Sequence, residues 1–107
     1  MINPNDEIQK IVDHIENYAA AEANLAWLES YKHALKALKM KESPSPSIAG
    51  KEMDALASDD YVEYCHNLEE AKKKHTTLKL TIETCKLKIE VWRTEQATNR
   101  QIEKITR

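Results

Sequence analysis

Glu63-Tyr64-Cys65-His66 is the one place in this chain where residue types and spacing suggest metal chemistry. A Glu-x-x-His pair supplies part of a carboxylate-bridged two-metal site in helical bundles. The site needs a second such pair and further inward glutamates. No second Glu-x-x-His occurs, and Glu22 is the only other glutamate at a seam position. The four residues therefore read as surface groups, and no metal is expected. Cys65 and Cys85 have no neighbouring cysteine at zinc spacing. On one helix they stand roughly 30 Å apart, too far for a disulfide. There is no Gly-rich phosphate loop, no His-Glu-x-x-His and no nucleophile elbow. The single glycine, Gly50, leaves little backbone freedom for an active-site loop. No enzyme is expected, no catalytic residue and no cofactor.

Bases carry the second candidate chemistry. Lys72, Lys79, Lys86, Arg93, Arg100 and Arg107 recur every seventh residue. Such a stripe can track phosphates. No aromatic residues interleave with it as a single-strand stacking platform requires. The blander reading is ion pairing with an acidic helix, and charge runs are usually solvated faces. His75 falls at a seam position near Glu22, and the two could form a polar layer that sets register.

These side chains must be positioned by helices. One glycine, no phenylalanine, 32% charged residues and a net charge of −2 suit long solvated helices and give no global push toward nucleic acid or membrane. Asn3 and Pro4 look like a cap and first-turn proline, followed by Asp6 and Glu7 where the helix dipole welcomes negative charge. Ile8, Ile11, Val12, Ile15, Tyr18, Leu25, Leu28, Leu35 and Leu38 then recur at three- and four-residue steps. Helix 1 is expected over about 4–42. Ser43-Pro44-Ser45-Pro46 breaks it. Ser47 caps a short helix from Ile48 to Ala57, with Met53 and Leu56 expected inward and Gly50 weakening it. Ser58 caps helix 3, expected over about 59–105. Tyr61, Leu68, His75, Ile82 and Ile89 step by seven, as do Tyr64, Ala71, Leu78, Cys85 and Trp92. These are the a and d positions of a heptad seam.

Charge sorting predicts how the chain folds back. Residues 1–31 hold six acids against one base, and residues 32–41 hold only bases. Residues 58–70 hold only acids, and residues 71–107 hold ten bases against four acids. Folding near residue 50 brings opposite signs together. The expected fold is all-α: an antiparallel two-helix hairpin, coiled-coil-like, with a short connecting helix, forming one domain. Facing residue numbers should sum to about 100. Asp6 then meets Arg93, Asp13 meets Lys86, Glu22 meets Lys79, Glu29 meets Lys72, Lys32 meets Glu69 and Lys36 meets Glu63.

Two features fall outside the hairpin. Leu80, Leu87 and Val91 form an apolar face opposite the seam, which predicts a homo-oligomer, most simply a dimer of hairpins. The stretch after about residue 97 has no facing helix, which leaves Arg100, Lys104 and Arg107 beside Ile102 and Ile105. Trp27 lies off the main stripe of helix 1 and reads as an interface anchor. The N-terminus MINPNDEI does not read as a signal peptide, and no stretch approaches eighteen apolar residues. A cytoplasmic protein without a membrane partner is expected.

Lys41-Glu-Ser-Pro-Ser, Ala57-Ser-Asp-Asp-Tyr61 and Ile89-Glu-Val-Trp-Arg-Thr-Glu-Gln-Ala-Thr-Asn-Arg100 resemble a family of small phage and prophage helical proteins of unassigned activity. The likeness runs from Lys36 to Arg100, and its most specific part is Trp-Arg-x-x-x-Ala-x-x-Arg. Members tend to begin the short helix with Ser-x-x-Glu; here Gly50 stands at the Glu position. Such proteins tend to be encoded near phage recombination and single-strand-binding genes. The resemblance implies a role in early phage DNA metabolism, or in its protection, within the host cytoplasm.

Three functions follow as expectations. The first is a non-enzymatic phage accessory protein that contacts the recombination or replication machinery through Trp92, Arg93, Arg100, Ile102, Lys104 and Ile105. A variant of it is an inhibitor of a host defence system, such as an anti-nuclease or anti-CRISPR protein. The second is nucleic-acid binding by the basic C-terminal overhang. The third is a purely structural coiled-coil element.

Overall fold

The computed structural model describes residues 1–106. Three helices follow one another: α1 (Pro4–Glu42), α2 (Ile48–Ala57) and α3 (Asp59–Thr106). There is no strand among the described residues. No helix among them is long and apolar enough to cross a membrane.

Local chemistry accounts for each boundary. Asn3 caps α1: the Asn5 N–H donates to Asn3 Oδ1 (3.0 Å) and the Glu7 N–H to the Asn3 carbonyl (3.2 Å). Asp6 and Glu7 occupy the first turn and Lys39 and Lys41 the last, matching the helix dipole at both ends. Pro44 and Pro46 lie in the non-helical connection that follows. Ser47 caps α2 by accepting from the Gly50 N–H (3.0 Å). Ser58 serves two helices. Its N–H donates to the Ala55 carbonyl at the end of α2 (3.3 Å), and its Oγ accepts from the Tyr61 N–H at the start of α3 (3.3 Å).

Gly50 has a reason beyond helix propensity. A Cβ at this position would run into Ser45 Oγ and stand 2.9 Å from both Ser45 Cβ and Ser47 Oγ. The short helix forms despite its glycine, because the glycine lets the Ser45 segment lie against its first turn. Met53 and Leu56 do not turn inward as expected: they are 72% and 46% exposed, and Ala55 is the buried residue of α2.

The residues group into two compact units, and in each a stretch of α1 runs antiparallel to a stretch of α3. Unit 2 comprises residues 20–75. Its core is Leu35, Tyr61 and Tyr64, with Leu28, Tyr31 and Leu68 packed around them. The Tyr64 hydroxyl donates to the Leu28 carbonyl, and Lys39 pairs with Asp60. Ala21 and Ala71 are buried although small, which requires close cover by the facing helix. Unit 1 comprises residues 1–19 and the described residues from 76 onward. There Ile82, Cys85 and Glu7 are buried, and Glu7 meets Lys88.

The heptad seam of α3 is as expected. From Tyr61 to Trp92 every a and d position is buried or half-buried, and Thr81 is the only other residue of that stretch that is not exposed. The charge register is not as expected. Facing numbers sum to 92 at Leu28–Tyr64 and to 99 at Lys39–Asp60. None of the five anticipated ion pairs that fall within one unit closes to 4.0 Å among the described residues; Lys36 instead reaches Glu52 on α2 (3.6 Å) and Lys88 reaches Glu7 (3.8 Å). Exposed pairs are worth only about 0.2–1 kcal/mol each. Burying a tyrosine or leucine is worth more, about 1.5–3 kcal/mol for an aliphatic side chain, so the apolar cluster sets the register.

Candidate interaction surface

The seam of α1 in unit 1 is more polar than its sequence suggests. Ile11 and Tyr18 are half-buried, and the remaining seam positions are Glu7, which is 6% exposed, and half-buried His14. His14 Nδ1 lies 2.6 Å from the Lys10 carbonyl oxygen. Ile8, Val12 and Ile15, expected to face α3, are instead 49%, 56% and 53% exposed. They follow one another by four and three residues, so they form one stripe on the outside of α1. Glu7, His14, Ala21, Leu28 and Leu35 step by seven, and this was the signal that could have placed Glu7 in the seam.

Glu7 is stabilised as a carboxylate. Oε1 accepts from Lys10 Nζ (3.2 Å) and lies 3.8 Å from Lys88 Nζ. Burial pushes its carboxyl up. The Cys85 thiol beside it, the Lys10 hydrogen bond and the charges of Lys10 and Lys88 outweigh that, and hold it below the ordinary glutamate range. Burial, followed by the neighbouring Glu7, pushes the Cys85 thiol up. A raised thiol pKa makes it a poor nucleophile at neutral pH.

The expected contact residues divide into two groups. Leu80, Leu87 and Val91 are exposed, at 54%, 65% and 48%. Ile102 and Ile105 are also exposed, as are Arg100 and Lys104. Arg107 lies outside the described residues. Trp92 is half-buried at a seam position and, with Arg93, Gln96 and Arg100, lines an open groove. Arg93 pairs with Glu90 of its own helix (3.0 Å), and the Arg100 Nε–H donates to the Gln96 carbonyl (3.4 Å). Trp92, Arg93 and Arg100 are thus brought together. Ile102, Lys104 and Ile105 continue along α3 and do not line that groove.

In unit 2 the anticipated Glu22–His75 layer lacks a buried acid: Glu22 is exposed, while His75 is half-buried at its seam position. The polar intrusion into the seam is Glu7 instead, because the register carries Glu22 outside it. Glu63 and His66 are exposed, and no group of three His, Cys, Asp or Glu side chains able to hold a metal ion occurs among the described residues. Trp27 is 58% exposed and stacks on Tyr31, with ring centroids 5.0 Å apart.

No family model, curated protein or solved structure matches this chain.

Proposed function

We propose that this chain is a non-enzymatic interaction protein of phage DNA metabolism, working in the host cytoplasm. It associates with itself and docks on a protein of the recombination or replication machinery. The observation that carries the reading is the exchange on α1: Glu7 lies in the seam while Ile8, Val12 and Ile15 face outward. A hairpin built only for its own stability has no use for three exposed β-branched residues in one stripe beside a buried carboxylate. The likeness of the Trp92–Arg100 stretch to phage proteins supports the setting.

The test is a photo-reactive phenylalanine analogue at Val12, expressed during phage infection. A cross-link to a phage recombination or replication protein, lost in Ile8→Asp/Ile15→Asp, is the expected result. No adduct rejects the docking face. An adduct to a host nuclease replaces the reading with that of a defence inhibitor.

A second reading has one observation in its favour. Arg100 and Lys104 are exposed and form no ion pair among the described residues. Nucleic-acid binding by this segment predicts a salt-sensitive shift of labelled single-stranded DNA that Arg100→Ala/Lys104→Ala abolishes. No shift at low salt removes it.

A further inference from the structure

The exposed apolar residues of α3 in unit 1 form one face rather than two. At 3.6 residues per turn, Leu80, Leu87, Val91, Ile102 and Ile105 fall within about 40° of a single line. All five are 48–79% exposed. The line runs on the side of the helix away from the seam residues Ile82, Cys85 and Ile89. Threonines fill its gaps. Thr84 and Thr94 donate their hydroxyls to the Leu80 and Glu90 carbonyls (2.7 and 3.0 Å), so these groups are satisfied inside the helix and do not require water. The result is a stripe roughly 37 Å long. It joins the residues expected to self-associate (Leu80, Leu87, Val91) to two expected to meet a foreign partner (Ile102, Ile105).

We infer that a second copy of this chain covers the stripe, with the two α3 helices packed antiparallel about a two-fold axis near residue 92. This rests on the self-association proposed above and adds its face and direction. Charge complementarity selects the occupant. In an antiparallel pair, residues whose numbers sum to about 185 face each other. Leu80 then meets Ile105, and Leu87 meets Thr98. On one flank Lys88 lies near the other copy's Glu95, and the two-fold axis repeats the pair. A parallel pair would set Glu90 against Glu95. Lys88 already has an acidic neighbour in its own chain, yet its side chain remains 46% exposed and can reach a second carboxylate. The self-complementary arrangement is isologous, so it closes at two copies. It leaves the Ile8–Val12–Ile15 stripe, on the other helix of the unit, as a separate surface.

Sedimentation of the full chain gives the first readout: a dimer at micromolar concentration. Leu87→Glu/Val91→Glu should weaken it at least tenfold with unchanged helical circular dichroism, since both side chains are exposed. Direction is read by cross-linking in a Cys65→Ser background. Mixing Leu80→Cys with Ile105→Cys chains should give the mixed disulfide, whereas Ile105→Cys alone should give none. A monomer at about 100 µM overturns both the stripe pairing and self-association itself. A dimer that persists in the double-glutamate variant overturns this face. A dimer linked through Ile105→Cys to itself overturns the antiparallel direction and leaves self-association standing.

Discussion

Glu7 and Cys85 lie side by side in the seam of unit 1, a carboxylate held ionised against a thiol held neutral. Both are buried, and the ammonium groups of Lys10 and Lys88 stand at the mouth of the pair. A polar residue thus occupies a position where the heptad pattern calls for leucine or isoleucine.

The pair makes stability depend on pH in one direction. A carboxyl held low in the folded state contributes stability that is present above its unfolded pKa, about 4.3. That contribution is lost as pH falls through the lower folded value. Thermal melts from neutral pH into the acid range should show Glu7→Gln losing less stability on acidification than the parent chain. Parallel curves for the two would contradict the role given to Glu7.

Glu7→Leu should raise the melting temperature at neutral pH. A buried charge is often replaceable by an apolar group without loss, and Lys10 and Lys88 are exposed enough to return to water. A lower melting temperature would show that the carboxylate is needed for packing.

Leu35 and Leu38 are three residues apart on α1 but differ in environment, 7% against 52% exposed. Denaturant titration should show Leu35→Ala losing about 2–3 kcal/mol, as for other buried leucines. Leu38→Ala should stay within about 0.5 kcal/mol of the parent. Equal losses would mean that unit 2 packs with a different face of α1.

Tyr64→Phe removes the hydroxyl that donates to the Leu28 carbonyl while keeping the ring in the cluster with Leu35 and Tyr61. The expected loss is about 1 kcal/mol by the same titration. The Leu28 carbonyl is an in-helix acceptor, so the change leaves no orphaned buried group.

Gly50→Ala sets two effects against each other. Alanine favours the helix by about 1 kcal/mol, but its Cβ collides with Ser45. The collision involves Ser45 Cβ as well as the hydroxyl, so the segment must shift rather than a rotamer. We expect net destabilisation in Gly50→Ala, measured by thermal melts. Gly50→Ala/Ser45→Gly should recover at least part of the loss.

Helix boundaries were legible in the chain because they depend on neighbours in sequence. Asn3, Ser47 and Ser58 cap, Pro44 and Pro46 interrupt, and the expected limits of about 4–42, 48–57 and 59–105 agree with Pro4–Glu42, Ile48–Ala57 and Asp59–Thr106 to within a residue. The seam of α3 was legible too, since its a and d positions alternate by three and four without interruption from Tyr61 to Trp92. The phase of α1 was not. Ile8, Ile11, Val12 and Ile15 cover a wide arc, and Leu35 and Leu38 offer two choices of inward face. A helix with apolar residues on several sides does not say which side will be covered. That depended on the match of its surface to the Tyr61–Tyr64 cluster in one unit and to Ile82 and Cys85 in the other. Only the pairing of the two helices put Glu7 inside and Ile8, Val12 and Ile15 outside, because buried contact is worth more than the exposed charge pairs that the pattern of signs advertised.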